Sequence, residues 1–125
     1  MIIRLDWPGA ALAPNRKNGK YWSVAHAAKV TARDSAYFAT KQASGRFLDR
    51  GGPIPLSIVF VPPDARRRDL DGMLSSLKPA LDGMAAALGA DDSRFRPILI
   101  DVGKVSKPGA VIVAVGVSIT TTGDI

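Results

Sequence analysis

The stretch Ile54–Val61 constrains the fold more than any other part of this sequence. It is apolar throughout except for Ser57, and Pro62 and Pro63 end it abruptly. A continuous apolar run of this length, bounded by turn-forming residues, predicts a strand in the core of a sheet. Because its apolar residues do not alternate with polar ones, the pattern also predicts that this strand is buried on both faces.

A helical pattern follows the strand. Apolar residues recur at helical spacing from Leu70 to Met84, which predicts a helix from Leu70 to about Leu88. Pro79 falls inside it, and an interior proline removes one backbone hydrogen bond and crowds the preceding turn. Two interpretations remain open. Either the helix bends at Pro79, or the regular helix begins late, with Ser76 as its N-cap.

Three further strands and one further helix complete the predicted fold. The strands are Met1–Trp7, Pro97–Val105 and Ala110–Ile119, and the helix is Val24–Ser44. The turn-forming residues 107–109 predict a hairpin between the last two strands. The order β-α-β-α-β-β predicts one α+β domain over residues 1–119, with residues 120–125 as a C-terminal tail. The domain is expected to contain a mixed sheet of about four strands, with both helices on one face.

Helical spacing divides the first helix into two faces. The face assigned to the core carries Ala27, Val30, Tyr37 and Phe38. An adjoining stripe, assigned to solvent or to a DNA contact, carries Lys29, Arg33 and Thr40.

Charge and composition narrow the classes of function. The chain has 125 residues, a net charge of +6 and a pI near 10.1, which favours a polyanionic partner such as nucleic acid. It has no cysteine and one histidine, His26, so disulfides, thiolate metal sites and histidine-rich metal sites are excluded. No apolar run approaches the roughly 18 residues of a membrane span. No signal peptide opens the chain, so a cytoplasmic protein is expected.

The hexapeptide RRRDLD, residues 66–71, lies between the predicted core strand and the helix that follows it. Asp69 and Asp71 can project to the same side, because alternate side chains do so on an extended backbone. Converging carboxylates repel each other unless a cation lies between them, and Mg²⁺ or Mn²⁺ accepts such oxygen ligands. The N-terminus of a helix that follows a strand is also a usual place for a protein to bind phosphate. The guanidinium groups that can pair with such a phosphate belong to Arg66, Arg67 and Arg68. The alternative interpretation is that this hexapeptide is a solvated loop of mixed charge.

A second basic segment lies between Ala10 and Trp22. It places cations beside aromatic residues, which suits nucleic acid because bases stack on rings while phosphates pair with cations. The alternative is that Tyr21 and Trp22 anchor this loop to the core. The candidate DNA-contacting residues of the segment are Asn15, Arg16, Lys17 and Lys20.

Several pieces of the sequence together resemble the RusA-type Holliday junction resolvases, which are small and often prophage-borne endonucleases. The pieces are the RRRDLD run, the segment KPALD at residues 78–82, the pair Asp91-Asp92, and an opening strand that ends in Trp7-Pro8 and leads to Pro14 and Asn15. The resemblance covers most of the chain and includes the order of its elements.

This resemblance implies metal-dependent phosphodiester hydrolysis, with paired nicks made across a four-way DNA junction by a symmetric homodimer. It implies that Asp69, Asp71 and Asp92 hold Mg²⁺, with Mn²⁺ as a substitute, and that Asp92 matches better than Asp91. Lys78 corresponds to the essential lysine of the family, which can neutralise or orient the scissile phosphate. The three arginines would hold flanking phosphates. No small-molecule cofactor and no membrane partner is implied.

Two positions depart from the pattern of that family. Gly72 stands where the family usually has asparagine, and Lys78 lies seven residues beyond Asp71 rather than about one turn beyond. On an unbroken helix, seven residues turn through about 700°, so Lys78 returns to the face of Asp71 but lies roughly 4.5 Å further along than a lysine three residues closer.

These departures motivate one alternative, a junction-binding protein with weak or lost catalysis. Another alternative is a basic RNA-binding module, in which the acidic residues are only loop features. Asp82, at i+4 from Lys78, is assigned to an ion pair on the helix surface.

Overall fold

The structure, a computed structural model, describes residues 1–12 and 22–116, without the side chains of Trp22 and Arg46. Its strands are β1 (Ile2–Asp6), β2 (Ile54–Val61), β3 (Phe95–Val102) and β4 (Ala110–Val115). Its helices are α1 (Trp22–Ala43) and α2 (Leu70–Leu88), and short 3₁₀ turns occur at Ala10–Leu12, Ser44–Arg46 and Asp92–Arg94. The predicted tail, residues 120–125, lies outside the described residues.

The four strands form one mixed sheet in the order β1-β4-β2-β3. β4 runs antiparallel to both of its neighbours, whereas β2 and β3 are parallel and are joined by α2. Together with the two helices, this sheet confirms the predicted α+β fold.

The predicted hairpin between β3 and β4 is wrong. The turn at residues 107–109 is present, with the Gly109 N–H donating to the Ser106 carbonyl at 2.7 Å. The chain then enters the sheet between β1 and β2 rather than beside β3. β4 is apolar along its whole length, which suits a central strand, whereas Pro97 and Asp101 suit β3 to an edge. Hydrophobic pattern, rather than proximity in sequence, therefore decides the pairing.

The core lies between one face of the sheet and the two helices. Alternate residues of β2 from Ile54 to Phe60 are at most 4% exposed, and they pack with Val111 and Val113 of β4. The residues between them point away from the helices, and Val59 is 36% exposed. Both helices lie on one face as predicted, but the prediction that β2 is buried on both faces is wrong. The apolar residues that suggested it lie on the face of the sheet that residues 1–12 and 22–116 leave uncovered.

Small residues mediate the contact between α1 and α2. A Cβ atom at Gly83 would collide with the backbone carbonyl of Arg33, so the two helices approach each other closely at this point. Ala36 and Thr40, one and two turns further along α1 from Arg33, are completely buried. A contact this close excludes bulky side chains.

The core face predicted for α1 is therefore wrong. Val30 and Phe38 are 44% and 64% exposed, and Ala27 is exposed as well. Tyr37 is half-buried and packs edge-to-face on Phe38. Thr40, which was assigned to the surface stripe, belongs to the core. The bulkier face of α1 points outward because the smaller face fits against α2.

α2 begins at Leu70 and contains Pro79 in its interior. The alternative start at Ser76 is wrong, because Ser76 lies within the helix and its hydroxyl donates to the Gly72 carbonyl at 2.9 Å. The helix ends at Gly89, whose φ of 68° is the left-handed conformation that closes many helices. Neither helix in residues 1–12 and 22–116 is long and apolar enough to cross a membrane.

Candidate functional site

The predicted site lies at one edge of the sheet. β1, β2 and β3 run in the same direction and end there, and the chain after β2 forms a loop that leads into α2. Beside the loop is an open pocket of about 660 Å³, lined among others by Trp7, Arg66, Arg67, Arg68, Asp69 and Gly72. The loop therefore delivers its charged side chains to a concave surface at a helix N-terminus, a usual place for anions.

Asp64 organises the arginine loop, which we define as residues 64–68. Its carboxylate accepts hydrogen bonds from the Arg66 backbone N–H at 3.0 Å, from the Arg68 guanidinium at 2.8 Å and from the Arg66 guanidinium at 3.3 Å. The Arg68 guanidinium also donates to the carbonyl oxygens of Asp64 and Arg66. The Arg66 N–H and then the Arg68 guanidinium lower the pKa of Asp64. The carboxylate stays charged at neutral pH and links both arginines.

Trp7 supports the arginine loop from the end of β1. The guanidinium of Arg68 lies 5.1 Å from the centre of the Trp7 ring, within cation–π range. Trp7 in turn packs edge-to-face on the core residue Phe60. The Arg68 side chain is only 20% exposed, whereas that of Arg66 is 80% exposed. Arg68 therefore shapes the loop, while Arg66 and the exposed Arg67 can reach a phosphate.

Asp69 and Asp71 flank the first residue of α2. Asp69 occupies the N-cap position, but its side chain makes no capping hydrogen bond. Asp71 lies in the first turn, and both residues are exposed. Neither carboxylate takes part in an ion pair or a side-chain hydrogen bond among the described residues. That these carboxylates bind a cation stays a prediction.

A second acidic group lies beside the C-terminal half of α2. Asp82 and then Asp91 raise the pKa of Asp92, because the neighbouring carboxylates disfavour its charged form. Asp91 accepts a hydrogen bond from the Ser93 hydroxyl at 2.7 Å, which lowers its pKa. The predicted pairing of Asp82 with Lys78 is not among the ion pairs of residues 1–12 and 22–116. Asp82 neighbours Asp92 instead.

The two acidic groups are far apart in one copy of the chain. Asp82, the neighbour of Asp92, lies 11 residues beyond Asp71 on α2, which at about 1.5 Å per residue is about 16 Å along the helix axis. Asp91 and Asp92 therefore do not join Asp69 and Asp71. Within the described ranges, no group of three or more histidine or acidic residues could hold a metal ion. Lys78 is exposed on the face of Asp71 and lies about 10 Å from it along the helix axis.

Sequence reasoning missed two residues of this site, Asp64 and Trp7. An indication for Asp64 was present, because an aspartate in a turn commonly accepts the backbone N–H two residues further on. The contact of Trp7 with Arg68 was not accessible in this way, since it depends on β1 and β2 ending at the same edge of the sheet. The predicted DNA contacts in the second basic segment lie outside the described residues; they are Asn15, Arg16, Lys17 and Lys20.

Comparison with known proteins identifies a relative of this chain. No protein-family model matches the sequence. The chain is 36% identical over 117 residues to an uncharacterized protein of Xylella fastidiosa (strain Temecula1). The alignment covers 90% of this chain and 74% of that protein, so the similarity includes nearly all of the fold described above.

Proposed function

We propose that this chain, which belongs to the same family as the Xylella fastidiosa protein, is a Mg²⁺-dependent endonuclease that cleaves four-way DNA junctions. The observation that carries the proposal is the placement of Asp69 and Asp71, whose carboxylates join no ion pair among the described residues, beside the exposed Arg66 and Arg67. The carboxylates offer oxygen ligands to a hard cation, and the guanidinium groups offer bidentate pairing to phosphate. The resemblance to RusA-type resolvases supports the junction as the substrate.

The two carboxylates fit Mg²⁺, which proteins often hold through one or two carboxylates while waters and phosphate oxygens complete its shell. Mn²⁺ would substitute for it. When bound, the ion would supply a polarised phosphate and a more acidic water. Asp92, which the resemblance adds as a third ligand together with its neighbour Asp91, would reach this site only from another copy of the chain, because it lies beside Asp82, about 16 Å along α2 from Asp71.

The remaining side chains of the site would bind and position DNA. Arg66 and Arg67 would pair with phosphates that flank the scissile bond, and Trp7 would keep Arg68 in place beneath them. A loop that is already ordered loses little conformational freedom when the ligand binds. Lys78 would neutralise a neighbouring phosphate along the exposed face of α2.

A homodimer is part of the proposal, because paired nicks on a symmetric junction require two active sites related by a two-fold axis. The proposed location is the cytoplasm, and no small-molecule cofactor is needed. The second basic segment would extend the DNA-binding surface through Asn15, Arg16, Lys17 and Lys20.

A junction-binding protein with weak or lost catalysis is the second candidate. Two observations favour it. Gly72 provides no side chain next to Asp71, and Asp92 lies beside Asp82 rather than beside Asp71. Such a protein would bind DNA through the same arginine loop. A basic RNA-binding module is a further alternative, and it would bind with strong salt dependence but without regard to junction structure.

Incubation of the protein with a labelled synthetic four-way junction in Mg²⁺ tests the proposal. We expect paired symmetric nicks on the junction but not on linear duplex, and no nicks in EDTA. Asp71→Asn should reduce cleavage by roughly 100-fold or more, because it removes one of two metal ligands. Asp34→Asn is the matched control, because it removes the same charge from an exposed position on α1. Tight junction binding without cleavage in Mg²⁺ or Mn²⁺ would instead support the second candidate.

A further inference from the structure

One face of the sheet is left uncovered by the described part of the chain, since both helices pack on the other face. The strand register arranges the side chains of this uncovered face in rows across the four strands. One row contains Ile2, Ala114, Ser57 and Leu99. The next row contains Arg4, Ile112, Val59 and Asp101. We name these two rows the open sheet face.

Large apolar side chains are exposed on the open sheet face. Ile2 is 70% exposed, Leu99 is 44% exposed and Val59 is 36% exposed. Ile112 and Ala114 lie between them and are half-buried by their neighbours. Apolar residues that adjoin across a sheet form a contiguous patch, and such patches mark surfaces of interaction more often than scattered single residues do.

The charges of the open sheet face lie at its two edges. Arg4 is on β1 and Asp101 is on β3, and the apolar Ile112 and Val59 separate them in the same row. Neither charged side chain belongs to an ion pair within residues 1–12 and 22–116. The row is thus basic at one end, apolar in the middle and acidic at the other end.

This pattern is complementary to itself in one orientation only. If two sheets stack with the two-fold axis parallel to the strands, β1 of one copy lies over β3 of the other. Arg4 then faces Asp101 of the partner subunit, and Ile2 faces Leu99 of the partner subunit. If the axis is instead perpendicular to the strands, each strand lies over its own equivalent and Arg4 faces Arg4 of the partner subunit. Stacked sheets are about 10 Å apart, a gap that an arginine and an aspartate can bridge together.

We propose that the open sheet face is the surface through which two copies of this chain form a symmetric dimer, with Arg4 paired to Asp101 of the partner subunit. The proposal specifies the interface of the homodimer that the proposed junction cleavage requires. It rests on the proposed function only because that function calls for a homodimer. An axis parallel to the strands also leaves both arginine loops at the same end of the dimer. Two sites at one end can engage the arms of a single junction.

Reversal of the two charges tests the proposal without measuring cleavage. Sedimentation equilibrium of the full chain should give a dimer for the unmodified protein. Arg4→Asp alone and Asp101→Arg alone should each weaken dimerisation by about tenfold or more, because each places like charges in contact. The double variant should restore the dimer, since it exchanges the two charges. Lys29→Asp, an equal charge change on the exposed side of α1, should have no effect.

Several outcomes would overturn the proposal. These are a monomer at all concentrations, a dimer that neither single variant weakens, or a double variant that is as weak as the single ones. Circular dichroism of each variant shows whether it is folded, and Val59→Lys offers a second disruption that does not change the Arg4 and Asp101 pair. Junction cleavage is assayed separately. A dimer with the expected charge dependence that does not cut DNA would sustain this interface and contradict the nuclease function.

Discussion

At the residue scale, the arginine loop depends on the charge of one carboxylate, that of Asp64. Hydrogen bonds from the Arg66 N–H and the Arg68 guanidinium lower its pKa in the folded protein, and the unfolded value is about 3.9. The folded state therefore favours the charged form. The stabilisation that the charged Asp64 gives the folded protein is complete above the pKa of Asp64 in the unfolded state. It is lost as the pH falls through the pKa of Asp64 in the folded state.

We therefore expect Asp64→Asn to lower the free energy of unfolding at pH 7 and to have a much smaller effect near pH 2. Urea denaturation of the variant and the unmodified protein at a series of pH values measures this difference. Asp49, whose pKa is about 2 because of Arg94, titrates in both proteins and so cancels in the comparison. A difference that stayed constant down to pH 2 would show that the amide alters the loop by its shape rather than by its lack of charge.

At the element scale, α2 contains two glycines that should respond in opposite ways to the same substitution. A Cβ atom at Gly72 would have no neighbour within 4 Å, so Gly72→Ala should raise the free energy of unfolding by about 0.5–1 kcal/mol through improved helix propensity. A Cβ atom at Gly83 would collide with the Arg33 carbonyl, so Gly83→Ala should lower it by about 1–3 kcal/mol.

Urea denaturation of both alanine variants measures these two changes in the free energy of unfolding, and each variant serves as the control for the other. A Gly83→Ala protein as stable as the unmodified one would mean that α1 and α2 do not approach as closely as described. Because position 72 is open, Gly72→Asn should also fold, which allows the side chain usual in RusA-type resolvases to be tested for its effect on cleavage.

The same helix contact explains how far the sequence could predict the elements. Apolar periodicity located both helices and all four strands, because it depends on local spacing alone. It could not choose the buried face of α1, where Phe38 is more apolar than Ala36, because that choice depends on the close approach at Gly83. It also could not place β4 in the centre of the sheet, since pairing between distant strands is decided by which strand is apolar throughout.

The candidate site was predictable to the extent that it is contiguous in sequence. Arg66, Arg67, Asp69 and Asp71 lie together because a strand, a loop and a helix follow one another there. The distant ligand Asp92 was assigned by resemblance, and one copy of the chain does not bring it to the others. The position of Asp92 depends on how the chain after α2 folds back beside Asp82, which local spacing does not reveal.

At the scale of the whole molecule, Asp71 and Asp92 are therefore not equivalent. In one copy they are separated by about 16 Å along α2, because Asp92 neighbours Asp82 rather than Asp71. A dimer formed through the open sheet face, with its axis parallel to the strands, leaves each end of α2 at its own end of the assembly, so Asp92 of the partner subunit stays distant as well. We expect Asp92→Asn to retain at least about tenfold more Mg²⁺-dependent junction cleavage than Asp71→Asn, since only the latter removes a ligand from the site beside the arginine loop.

Mixing the two variants distinguishes this expectation from a site shared between copies. If Asp92 of one copy completed the site of the other, both variants would be inactive alone, but each mixed dimer would contain one site with every ligand intact. Such dimers would nick one strand of the junction. If each site uses its own copy only, the mixture adds no activity beyond that of Asp92→Asn. Recovery of a single nick from two inactive proteins would therefore contradict the separation of the two acidic groups, and it would require the copies to meet along α2 rather than through the open sheet face.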